Sequence, residues 1–223
     1  IYWFGANTYL IDAQVMDLSV PFAVSISVSI LIASWFIYDL LCRFFSNNEK
    51  LLIVLIFIYI LLCDFLLFQI FSARAAYIHV GAIMGTVMAA NVFFHIIPGQ
   101  KKMVAEIRAG QSPNPQYGIV GKQRSVHNTY FTLPVLFIMI SNHYPMTYSH
   151  QHGWIVLALI MVAGVLIRQY FVMRHIQQQK TWMPVVAILL IVLVTIWLKP
   201  PSIDLNAQQL SLIHISEPTR PLH

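Results

Sequence analysis

Runs of about 20 apolar residues recur along this chain, and no other feature limits its fold as much. A helix rises 1.5 Å per residue, so roughly 20 residues cross about 30 Å of hydrocarbon. Residues 21–41, 51–71, 77–97 and 154–172 reach that length. A further span over residues 126–143 is apolar in its middle and polar at both ends, and residues 183–198 form a short last one. Residues 1–11 read as the tail of an earlier helix. In lipid every backbone N–H and C=O has to bond within the protein, and apolar runs of this length satisfy that as helices. The expected fold is all-α, a polytopic membrane helical bundle of about six transmembrane helices plus that tail.

Composition agrees where it bears on this. Hydrophobic residues make up 58% and charged ones 9%, with a mean hydropathy of +0.71, which is not the balance of a water-soluble domain. A formal charge of +5 would suggest nucleic acid in a soluble protein. Here the basic residues sit in short loops, where they set orientation, so no nucleic-acid partner is expected and the lipid bilayer is the solvent. Arg43 and Lys50, then Lys101, Lys102, Arg108, Lys122 and Arg124, then Arg168, Arg174 and Lys180 fall at alternate ends of successive spans. The opposite loops hold Asp12, Asp17 and a lone Arg74, and residues 141–153 carry no Lys or Arg. The basic loops are therefore expected in the cytoplasm and the C-terminal continuation on the periplasmic side.

The chain opens on Ile1 with no basic segment ahead of an apolar one, so no signal peptide is read and the sequence is expected to start inside a longer protein. Cys42 and Cys63 share no metal-binding spacing, and no CxxCH for a covalent c-type haem occurs. Residues 1–200 are expected to form the membrane domain and 201–209 the start of a periplasmic linker. Residues 210–223, which include LSLIHISEPTR, read as translated sequencing-library adapter, so His214, Glu217 and His223 are set aside.

The stretch FSARAAYIHVGAIMGTVMAANVFFHIIPGQKKMVAEIRAG (residues 71–110), then GKQRSVHNTYFTLPVLFIMISNHYPMTY (121–148), resembles the signature region of the membrane-bound urate oxidases, also called urate hydroxylases. The earlier WFIYDLLCR (35–43) is similar to that family too. The resemblance implies a bacterial inner-membrane domain of about eight helices that oxidises urate towards 5-hydroxyisourate. Electrons would pass to a periplasmic cytochrome c domain and the respiratory chain, with c-type haem only in that C-terminal domain. The first helices and the cytochrome domain are absent from this sequence, so the fragment itself is expected to be inactive.

Ionisable groups inside spans are costly and point to function. His79 and His95 lie 16 residues apart on one span, and His127 and His143 repeat that spacing on the next, antiparallel one. Side by side they would form an outer layer, His79 with His143, and an inner layer, His95 with His127. A histidine pair across such an interface could hold a b-type haem or another redox metal. The plain alternative is that each imidazole sits at the water interface or bonds a nearby carbonyl. Gly81, Gly85 and Ala89 recur every four residues and would let a neighbouring helix approach.

A urate site needs donors and positive charge for a planar anion, and a base for the proton that leaves with the electrons. Arg74 and Asn142 share a membrane face with His79, His143 and Tyr144. His143, His79 and Tyr144 are therefore the catalytic candidates, with Arg74 and Asn142 as substrate binders. Arg74 could equally be an interfacial residue reaching to headgroups. Arg124, His127 and Asn128 form a second polar cluster through spacings of three and four residues. Asp64, in mid-span, calls for a buried partner or a protonated state, and Asp39 with Arg43 reads as a structural i,i+4 pair. Two other function classes remain: a proton-coupled transporter, which would also bury His, Asp and Asn, and a non-catalytic anchor for a cytochrome.

Overall fold

The computed structural model describes residues 2–175, 177–178 and 180–199. The expected linker and adapter-like segment lie outside these residues. In chain order the helices are α1 (Ala6–Tyr9), α2 (Val20–Phe44), α3 (Glu49–Phe68), α4 (Ala73–Ala90), a π segment (Asn91–Ile96), α5 (Ile97–Arg108), α6 (Pro115–Ser141), α7 (Pro145–Tyr148), α8 (Gly153–His175) and α9 (Trp182–Trp197). No strand forms among the described residues, so the protein is an all-α membrane bundle. Four helical stretches are long and apolar enough to cross a membrane: α2, α3, the continuous run Ala73–Arg108, and Gly153–Arg174 within α8. The 27-residue α6 is long enough but polar in its first half, and the apolar α9 has 16 residues.

Local chemistry sets the helix ends. Asn48 and Ser72 cap α3 and α4 by accepting from the Leu51 and Ala75 N–H groups at 3.2 and 3.3 Å, which satisfies donors that a helix start leaves open. Gly110, at φ +70°, ends α5 in the left-handed conformation that a side chain would strain. Four residues on, Asn114 accepts from the Gln116 N–H at 3.0 Å, and Pro115 opens α6, where its missing N–H costs nothing. The Glu106 carboxylate accepts from the Asn114 N–H at 2.8 Å and pins this turn.

Helices α4 and α6 pack side by side, flanked by α2, α3 and α8, while α9 lies on α8. Leu52, Ile56, Val80, Ile83, Met84, Ile138 and Leu157 fill the centre. Large apolar side chains such as Phe22, Ile32, Phe36, Ile58 and Leu189 stay exposed on the outer faces, the arrangement that lipid rewards. Of the expected stripe of small residues, Gly81 faces Ile138 at van der Waals closeness, whereas a Cβ on Gly85 would meet nothing within 4 Å. Asp64 is wholly buried in α3, and neither carboxyl oxygen has a hydrogen-bond partner.

Candidate functional site

Two polar regions lie at opposite ends of the α4–α6 pair. At the end bearing α7, Arg74 Nε donates to Asn142 Oδ1 at 2.8 Å, and the Tyr2 hydroxyl reaches the same oxygen at 3.4 Å. The Arg74 guanidinium sits 5.8 Å from the Tyr9 ring centre, a cation–π distance. The structure thus joins the two expected substrate binders. It does not join the two expected catalytic histidines.

His79 is buried, and both ring nitrogens are occupied: Nδ1 lies 2.9 Å from the Ala75 carbonyl and Nε2 2.5 Å from Ser27 Oγ. A carbonyl only accepts, so Nδ1 carries the proton of the neutral ring and Nε2 accepts from Ser27. Trp3 Nε1 donates to Ser27 Oγ at 2.8 Å and completes the chain, while Phe71 stacks on the imidazole. His143 follows the end of α6 and is exposed, as is Tyr144, the residue before α7. A ring fully bonded within the bundle and a ring outside it do not present paired imidazoles, so this arrangement does not fit a haem held by His79 and His143. Among the described residues no group of three or more His, Cys, Asp or Glu side chains could hold a metal ion.

The other polar region is one connected, largely buried network. Asp39, from α2, is 8% exposed and takes three partners: Arg124 Nη2 at 2.6 Å and His95 Nε2 at 2.8 Å on Oδ1, and Arg43 Nε at 2.7 Å on Oδ2. Arg124 of α6 is 2% exposed, reaches Asn91 Oδ1 at 3.4 Å, and lies with its guanidinium 5.0 Å from the Tyr38 ring centre. Asn91 Nδ2 donates to the Tyr38 hydroxyl at 3.0 Å and to Asn128 Oδ1 at 2.8 Å, and Asn128 Nδ2 donates to the Met88 carbonyl at 3.0 Å. Tyr38 in turn lies 2.7 Å from His127 Nδ1.

Asn91 opens the π segment, and His95 lies within it. Such single-turn π segments concentrate at functional sites, because the extra residue frees backbone geometry that an α-helix locks. The second expected cluster, Arg124, His127 and Asn128, is therefore brought together, but through Tyr38, Asp39 and Asn91, none of which sequence reasoning had placed in it. His95 and His127 do not pair with each other; they end two branches of the same network.

The proton positions follow from the partners. A carboxylate only accepts, so His95 carries its proton on Nε2, and the lone pair of a neutral ring is on Nδ1. Asn91 donates to the Tyr38 oxygen, and with the phenol proton on His127 Nδ1 the neutral His127 ring keeps its own proton on Nε2. That Nε2 is buried and has no partner, as does Arg124 Nε.

A groove of about 570 Å³ opens against the Asp39 side, lined in part by Trp35, Phe94, Arg43 and His95. Trp35 and Phe94 stack with ring centres 5.7 Å apart. The Arg43 side chain is 70% exposed there, with its Nη groups outside the bond to Asp39. A flat aromatic wall, a forked cation and an imidazole lone pair suit a planar anion that must lose a proton.

The family described as urate oxidase N-terminal matches residues 1–199. No curated protein and no solved structure matches the chain closely enough to add to that. Taken with a membrane bundle whose charge is gathered around Asp39, the match shows that this chain belongs to the urate oxidase N-terminal family.

Proposed function

We propose that this chain is the membrane domain of a cytochrome-linked urate oxidase, and that urate reacts in the groove beside Asp39. Urate would take up water and lose two electrons and two protons to give 5-hydroxyisourate, the electrons passing to a periplasmic cytochrome c and the respiratory chain. The buried carboxylate held by two arginines and a histidine carries this reading, since charge inside a membrane bundle is retained for function. His95 Nδ1 takes a proton while Asp39 holds the ring in that tautomer, as the carboxylate does in a His–Asp pair. Arg43 clamps the anionic oxygens, and Trp35 stacks on the purine face. The c-type haem belongs to the cytochrome domain.

In the intact protein, His95→Ala should lower kcat for urate-dependent cytochrome reduction by about 10²–10⁴, the usual worth of a positioned base. Arg43→Ala should mainly raise KM, whereas His143→Ala should leave turnover near wild type. The 2.8 Å bond between Arg74 and Asn142 favours a second reading, with urate at the α7 end. Loss of activity in His143→Ala or Arg74→Ala, with His95→Ala unaffected, would establish that reading instead. A well-inserted wild type that never reduces cytochrome with urate would return the chain to the transporter or anchor classes.

The basic loops support an orientation in a bacterial inner membrane with residues 100–124 in the cytoplasm and the C-terminus periplasmic. Ser112→Cys, in the exposed turn between α5 and α6, should react with an impermeant maleimide only when the cytoplasmic face is opened. Labelling in intact spheroplasts would reverse the map.

A further inference from the structure

A second cavity, of about 350 Å³, lies on the other side of the network, between α3, α4, α6 and α8. Ile56, Ile60, Met84, Phe131, Met161 and Val165 supply much of its wall, and the exposed Ile53 lines it on the outer, lipid-facing side of α3. The volume is within the range of small-molecule sites, and the lining repels an anion such as urate. His127 breaks the apolar wall. It is 4% exposed, its Nδ1 is held by Tyr38, and its Nε2–H has no partner in the protein. A buried donor left open is costly, so a molecule in this cavity gains by offering an acceptor there.

A second polar position lies three residues along the same helix face, where the Tyr130 hydroxyl donates to Gln169 Oε1 of α8. That bond takes only Gln169 Oε1 and leaves the Nε2 donors of the same amide for a ligand's second acceptor. A saturated acyl chain offers no acceptor at either position. The ligand that fits is a flat ring with two opposed carbonyls, soluble in lipid, with a long apolar tail.

We infer that this cavity binds a membrane quinone, with one carbonyl accepting from His127 Nε2–H and the other facing Tyr130 and Gln169. The inference extends the proposed reaction by giving it an acceptor within the bilayer. Water adds its oxygen to the purine as a new C5–O bond, the two electrons and two protons released convert the quinone to quinol, and the quinol then gives its electrons one at a time to the periplasmic cytochrome c as its two protons are released. The link to urate rests on the proposed function, whereas the binding does not.

The full-length protein, purified in mild detergent, should release close to one quinone per chain on solvent extraction. After depletion it should bind decyl-substituted benzoquinone saturably. Val165→Trp, which fills the cavity without touching the network, should abolish that binding, and His127→Leu should weaken it at least about tenfold, the worth of one hydrogen bond to a buried donor. If His127→Leu fails to insert, Val165→Trp still decides the matter. Equal affinity in wild type and Val165→Trp, or recovery of phospholipid alone from the cavity, would overturn the site. Saturable binding lost in Val165→Trp, but with no quinol formed on adding urate, upholds the site and removes urate as its electron donor.

Discussion

Asp39→Ala is expected to remove about 3–5 kcal/mol of stability, the usual cost of stranding a buried charge by deleting its partner. The stranded group is Arg124, which is 2% exposed and whose closest anionic contact is Asp39 Oδ1 at 2.6 Å. His95 loses the acceptor that sets its tautomer in the same step, so function should fail even in the fraction that still folds. Arg43→Ala breaks a bond of similar length to the same carboxylate, yet that side chain is 70% exposed. Water and headgroups can solvate what remains, and the expected loss is below about 1 kcal/mol. Thermal aggregation followed by fluorescence-detected gel filtration would rank the two. Replacing both charges at once, as in Asp39→Leu with Arg124→Met, should recover much of the stability and none of the activity, because an apolar pair needs no solvation. Equal melting of Asp39→Ala and Arg43→Ala would show that Arg124 finds another partner.

Gly81→Ala is expected to be the most damaging single-methyl addition on the α4–α6 contact. A Cβ at Gly81 would lie 2.7 Å from Ile138 Cγ2 and 3.3 Å from Ile138 Cβ. Ile138 is 1% exposed, and its Cβ is fixed to the backbone, so it cannot swing clear. The helices must part, at an expected cost of about 1–3 kcal/mol for overpacking. Since α4 carries Asn91 just beyond its end and α6 carries Arg124 and Asn128, parting them also opens the network. Gly85→Ala, one turn on, meets nothing within 4 Å and should be neutral or slightly stabilising through helix propensity. Trimming the neighbour tests the cause: Ile138→Ala should rescue Gly81→Ala in part. A Gly81→Ala protein as stable as Gly85→Ala would contradict the close approach.

The membrane bundle was legible because lipid makes one demand that composition records directly. What escaped was whatever does not meet lipid. Residues 126–143 were read as a span, while α6 starts at Pro115, because its first half is polar and lies against α5. The Asn114-Pro115 pair was a readable start signal that hydropathy overshadowed. The outer histidine layer assumed that equal spacing gives equal depth, but α6 stops at Ser141, and His143 falls beyond it. Asp39 shows the limit most clearly. Its local partner Arg43 is four residues away and suggests a surface pair, whereas the contact that buries it comes from Arg124, 85 residues on. No local pattern announces a partner at that distance, nor the extra residue in the turn that turns Asn91 inward.

The run from Ala73 to Arg108 is 36 residues, about 54 Å of helix against roughly 30 Å of hydrocarbon. Its last part, α5, packs antiparallel against the first half of α6 and forms an arm with it. The π segment lies where this arm leaves the bundle, and one inserted residue rotates everything beyond it by about 100°. The arm and the rest of the bundle are thus geared together through a single register step. A one-residue deletion there would swing the whole α5 face round without altering any side chain on it.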